Sequence, residues 1–203
     1  MLRPSLLTDY AQVQDRTLAS RAFEAMWRAL PREDGLIPLR TAFRPEIAPR
    51  FLARVALLDI HLNDDTDGLV TTKLRLTGGI LRDLIGENVT GLDYLDLVPD
   101  RAYQANHLRL CVETPCAAWS LAPVVYERDY TSLVEITHFP LTDEKTGNRI
   151  ALLLLSEIGT RNAGARTVRG PFEMKPAIAK CFIDIGAGVP ACNETSAENY
   201  TGV

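Results

Sequence analysis

The stretch Leu74-Arg75-Leu76-Thr77-Gly78-Gly79-Ile80-Leu81-Arg82-Asp83-Leu84-Ile85-Gly86-Glu87-Asn88-Val89-Thr90-Gly91 changes its apolar period at the glycine pair, and the rest of the chain is arranged about that change. Ahead of Gly78, Leu74 and Leu76 alternate with Lys73, Arg75 and Thr77, the period of a strand with one buried face. Past Gly79, Ile80, Leu81, Leu84 and Ile85 share one side of a short helix. Gly86 stands where a left-handed residue stops a helix, and Thr90 with Asp93 three residues on resembles a capping box with Asp in place of Glu. Amide groups at such a junction can meet an anion. Asp83, however, occupies the place of the third glycine of a dinucleotide site, and no Gly-Lys-Ser/Thr triplet follows. Close backbone packing is therefore the better reading of the pair.

Upstream, residues 55–62 form a near-continuous apolar run broken by Asp59 and His61, which predicts a strand. Asn63-Asp64-Asp65-Thr66-Asp67-Gly68 reads as the turn into the next strand. A calcium loop is disfavoured, because no Glu stands at the twelfth position and no helix follows. Pro45 suits the first position of a short helical turn. Before it, residues 15–30 place Leu18, Ala22, Phe23, Met26, Trp27 and Leu30 at spacings of three and four, an amphipathic helix ended by Pro31. Its stripe packs either on its own domain or on a second copy.

Downstream, the spacing predicts two short helices to about Val98-Pro99, then a longer one over residues 100–113, stopped by Thr114-Pro115. Strands follow over 117–127, 132–141 and 149–158, the last two joined by the polar hairpin loop Thr142-Asp143-Glu144-Lys145-Thr146-Gly147-Asn148. Pro123 suggests an edge position or a bulge in the first of them. Residues 160–168 read as a linker, 177–185 as one further element, and the remainder as a tail. The expected division is a helical extension over 1–30, a central domain over 31–158, and a linker and tail over 159–203.

Length and charge bound the function. At 203 residues with 46% hydrophobic side chains, the chain can bury a full core. A net charge of −4 gives no global reason to bind nucleic acid or an anionic membrane. Arg28, Arg32, Arg40, Arg44 and Arg50 are interleaved with Glu33, Asp34 and Glu46, which favours a solvated face over a phosphate cradle. With no apolar block at the start and no run long enough to span a bilayer, a cytoplasmic location is expected. Cys111, Cys116, Cys181 and Cys192 lack close-paired metal spacing and the density of a disulfide scaffold, so reduced thiols are expected and no metal site is assigned. Without a secretion signal, the sequons at Asn193 and Asn199 read as coincidence.

Two strands, short helices and three closing strands is the order of the PAS fold. Particular residues extend the likeness: Trp27 with Leu30-Pro31-Arg32, Phe43-Arg44-Pro45-Glu46-Ile47, Leu76-Thr77-Gly78-Gly79, Ile85-Gly86, Val89-Thr90-Gly91 and Phe139-Pro140-Leu141-Thr142-Asp143. Residues 27–157 thus resemble a PAS family found mostly in alphaproteobacteria. The resemblance implies an α+β class with a five-stranded antiparallel sheet covered by short helices, an N-terminal amphipathic helix and a C-terminal extension. It also implies sensory or regulatory work, in which ligand occupancy of a pocket between sheet and helices alters how flanking helices meet. Haem-binding members take an axial histidine from a helix in this region, which makes His107 the haem candidate. The competing reading is an ordinary half-buried side chain. No cysteine stands in the flavin-anchoring motif of light-sensing relatives.

By apolar character and position, the ligand-pocket candidates are Leu76, Ile80, Leu84, Tyr94, Trp119 and Tyr126, with His107 beside them. Core packing explains these residues equally well. No catalytic residues are assigned: His61, His107 and His138 are scattered, and no nucleophile elbow or zinc-protease motif occurs. Glu135 and His138, three apart on a strand, face opposite sides. The expected function is a non-catalytic PAS-type signalling module acting through a protein partner or as a homodimer through residues 18–30. Removing residues 1–30 should then change association and leave the domain folded. The alternatives are a ligand-free interaction module and a small cone-shaped enzyme with a buried acid or base in an open apolar pocket.

Overall fold

The computed structural model describes residues 16–33, 35–63, 69–85, 88–126, 130–158 and 172–191. Strands β1 (Val55–Asn63), β2 (Leu69–Thr77), β3 (Cys116–Tyr126), β4 (Tyr130–Thr142), β5 (Arg149–Ile158), β6 (Phe172–Met174) and β7 (Ala179–Asp184) form one sheet. Its order is β2-β1-β5-β4-β3, with β6 and β7 sharing the outer edge of β3, and every pairing between strands is antiparallel. The helices are α1 (Leu18–Arg28), α2 (Gly79–Ile85) and α3 (Arg101–Glu113), with single helical turns at Arg40–Ala42, Pro45–Ile47, Leu52–Arg54 and Tyr94–Asp96. The chain is thus α+β, and the sheet has seven strands where five were expected. Among the described residues no helix is long and apolar enough to cross a membrane.

Both faces of the sheet are covered, which explains why residues 55–62 are apolar without alternation. Val55 and Leu57 on β1, Phe139 and Leu141 on β4, and Ile150, Leu152 and Leu154 on β5 meet Phe23, Trp27 and Leu30 from α1 and its C-terminal end. Ala56, Leu58 and Ile60, with Val134, Ile136 and Leu153, meet Leu81, Leu95 and Leu108 on the opposite face. Burying each large aliphatic side chain contributes about 1.5–3 kcal/mol, so two such layers supply most of the driving force.

The amphipathic stripe of α1 is consumed within the chain, Phe23 and Trp27 being 0% and 1% exposed. The face expected to meet a second copy is therefore covered, and of the stripe Leu18 points outward. Polar contacts fix the helix on β4. Trp27 Nε1 donates to the Pro140 carbonyl at 2.8 Å, and the Ser20 and Thr137 hydroxyls meet at 2.7 Å. Glu135, buried, accepts from the Thr17 backbone N–H at 2.9 Å, from the Thr17 hydroxyl and from Trp119 Nε1 at 2.7 Å. Thr17 in turn caps α1 by accepting from the Ser20 N–H.

Three local expectations are corrected. Leu74 and Leu76 do not share a face, because an extra residue enters β2 opposite Leu57 and Leu58. Leu58 pairs with Leu74 and Leu57 with Leu76, so the bulge moves Leu76 to the α1 side of the sheet, where it is exposed. The turn at Tyr94–Asp96 is capped by Asp93 itself, which accepts from the Leu95 N–H, and not by Thr90. Pro123 lies on a strand with partners on both sides. Its carbonyl accepts from Lys175 N–H at 2.8 Å, between the end of β6 and the start of β7, and strand N–H and C=O groups of one residue point the same way. The donor that proline lacks would thus have faced the break between two short strands. Asp64 to Gly68, Gly86, residues 160–168 and Cys192 lie outside the described residues.

The glycine pair divides its labour. A Cβ on Gly78 would lie 2.3 Å from the Leu52 carbonyl oxygen and 2.5 Å from that of Ala53, while one on Gly79 would meet only the end of Arg82 at 4.0 Å. The Gly78 N–H donates to the Val55 carbonyl at 2.8 Å. The pair therefore serves close approach of two backbones.

Candidate functional site

Between the sheet and its α2–α3 covering lies an apolar cavity of about 70 Å³. The sheet supplies Ala56, Leu74, Val134, Ile136 and Leu153 to its wall; Leu81 of α2, Val89 and the Tyr94–Val98 segment form the cover, and Met174 of β6 closes one side. Strand alternation puts these sheet side chains on one face, and the β2 bulge adds Leu74 to them. Thr77 and Tyr94 bring the polar side chains. Burial pushes the Tyr94 phenol up to about 12, so it stays protonated as a donor.

The pocket candidates distribute unevenly about this space. Tyr94 lines it. Ile80 is exposed on α2, its neighbour Leu81 being the residue turned inward, and Leu76 is exposed for the reason given above. Trp119 borders a second void, but its indole turns to the opposite face and donates to Glu135. The side chains of Leu84 and Tyr126 lie outside the described residues. The missed wall residues on β4 and β5 sit in apolar runs that read as core. Only strand pairing identifies which of them line space.

The second void, of about 30 Å³, lies beside the first and shares Tyr94, Ile136 and Leu153 with it. His107 of α3 and His138 of β4 face it, with Gln104 and Ser120. The His107 ring stacks on Phe182 of β7 with centroids 4.8 Å apart and lies 5.9 Å from the His138 ring. Burial lowers both imidazoles, His107 to about 4 and His138 to about 3, so both are neutral at pH 7. The void beside His107, about 30 Å³, is far smaller than a porphyrin. Glu135 and His138 face opposite sides of the sheet, as their spacing implies.

The arginines of residues 28–50 are largely engaged internally. Arg32 donates to the carbonyls of Arg28, Leu30 and Leu36 and lies over the Trp27 ring, Arg28 pairs with Glu24, and Arg40 donates to the Phe43 carbonyl. Arg75 joins Asp59 and Asp143 across two strands and the hairpin, with each ion pair at 2.9 Å. In comparisons with known proteins, no family model matches the chain and no curated protein matches it.

Proposed function

We propose that the chain is a sensory or regulatory module of the PAS kind, which binds a small apolar molecule between its sheet and the α2–α3 cover. The observation that supports this reading most is the apolar cavity itself. Leaving about 70 Å³ unfilled forgoes packing energy that ordinary core residues would recover, at about 24 cal/mol per Å³. The strand order β2-β1-β5-β4-β3, with helices over one face, adds to it. The enzyme alternative required an acid or base inside an open apolar pocket. The titratable group on this wall is the Tyr94 phenol, which burial keeps protonated far above neutral pH.

Cavity size restricts the ligand. An apolar cavity of about 150 Å³ accommodates benzene, so this one suits something smaller unless Met174 or the Tyr94–Val98 cover gives way. Thermal denaturation in the presence of xenon, benzene, toluene and short alkanols tests the reading against Val134→Phe, which fills the space. At a concentration 100 times Kd, a ligand should stabilise the native chain by about 2.7 kcal/mol, a rise of several degrees, and should leave Val134→Phe unshifted. No shift with any of them, or equal shifts in both proteins, would contradict it.

A further inference from the structure

The side-chain cluster behind the second void has a composition the cavity reading does not use. His107 and Cys111 stand one turn apart on α3 and so share a face, and His138 reaches them from β4. Their donor atoms, one from each residue, all lie within 4.8 Å of one another. Cys116, the first residue of β3, is buried and packs in one cluster with Cys111. His138 is 8% exposed, yet its Nε2 is buried without a hydrogen-bond partner among the described residues. A buried ring nitrogen is costly in that state, which points to an occupant that the chain itself does not supply.

We propose that His107, Cys111 and His138 bind a single zinc(II) ion, with Cys116 as the fourth donor. Two imidazoles and two thiolates are a closed tetrahedral set for zinc, the usual composition of structural rather than catalytic centres. Around such an ion the donors stand about 3.3–3.7 Å apart, so movement of about 1 Å closes His107, Cys111 and His138 on it, while Cys116, packed against Cys111 outside that group, has to turn in further. Charge also balances. Binding displaces one proton from each thiol to solvent, and two thiolates neutralise the divalent ion, leaving no net charge in a buried place. Imidazole ligates a metal in its neutral form. The ion would tie α3 to β3 and β4, and through the stacked rings of His107 and Phe182 it would set the seating of β7. This site is separate from the ligand cavity, and its test leaves that reading untouched.

Cobalt(II), a spectroscopic substitute for zinc, is titrated into tag-free, reduced protein of full length. The expected result is a thiolate-to-cobalt charge-transfer band with the visible bands of a tetrahedral ion, two protons released per cobalt bound, and displacement of the cobalt by equimolar zinc with no further proton release. Cys111→Ser and His138→Asn should weaken zinc binding more than about 10-fold, beyond what loss of a mere supporting contact costs. Cys181→Ser, on the exposed part of β7, should bind as the native chain does. Circular dichroism without metal establishes that each variant is folded. X-ray absorption at the zinc edge of the native protein does not depend on any variant, and should show two sulfur and two nitrogen neighbours. Absence of the charge-transfer band, its undiminished intensity in Cys111→Ser, or a zinc shell without sulfur would overturn the proposal.

Discussion

Gly78 shows how much one missing methyl can decide. The two carbonyls that crowd its Cβ position belong to the backbone of the Leu52–Arg54 turn and cannot swing aside. Gly78→Ala should destabilise by about 1–3 kcal/mol or more, as overpacking does, whereas Gly79→Ala should be near neutral. Urea denaturation of the two variants checks the contrast. Asp143 supplies a second expectation at this scale. The Arg75 guanidinium and the N–H groups of Lys145 and Thr146 hold its carboxyl at about 2, below the ordinary carboxylate range. Above about pH 5 the group is ionised whether folded or not, and its contribution is complete. As pH falls from about 5 towards 2, the unfolded chain takes up the proton first and the contribution is lost. Melting temperatures measured across that window should fall more steeply for the native chain than for Asp143→Asn.

At the scale of elements, α1 belongs to the packed body. Trp27→Ala should cost about 3–5 kcal/mol, and a chain lacking residues 1–30 should unfold rather than merely change its association, because Phe23, Trp27 and Leu30 leave one sheet face bare. Circular dichroism and urea titration decide between these outcomes. A chain cut before β6 should self-associate, since the outer edge of β3 and its Trp119–Leu121 neighbourhood would lose their cover, and light scattering against concentration measures this. The central strands, α3 with Asp100 before it, and the strand-to-helix change at Gly78 were legible because local period and punctuation agree with the fold. The destination of α1 was not, since an apolar stripe gives the direction of burial without naming the partner. The bulge in β2 was also hidden, because it appears only when β2 is aligned against β1. The cavity wall and the His107–Cys111–His138 cluster share that difficulty. The four-residue spacing of His107 and Cys111 went unread, because the cysteines were weighed only against one another, and the third donor arrives from β4 through strand pairing.

For the whole molecule, the sheet carries a tightly filled layer on one face and a partly hollow one on the other. On the sensory reading proposed above, the hollow face would receive a ligand and the filled face, where Glu135, Thr137 and Pro140 hold α1, would carry the change. A ligand acts on such a body only through the difference in its affinity for two packings. Hydrogen–deuterium exchange with and without a small apolar ligand that raises the melting temperature tests this most directly. The account predicts slower exchange in α2 and the Tyr94–Asp96 turn, together with a change at the start of α1 on the far face. Unaltered exchange in the α2–α3 cover would contradict it.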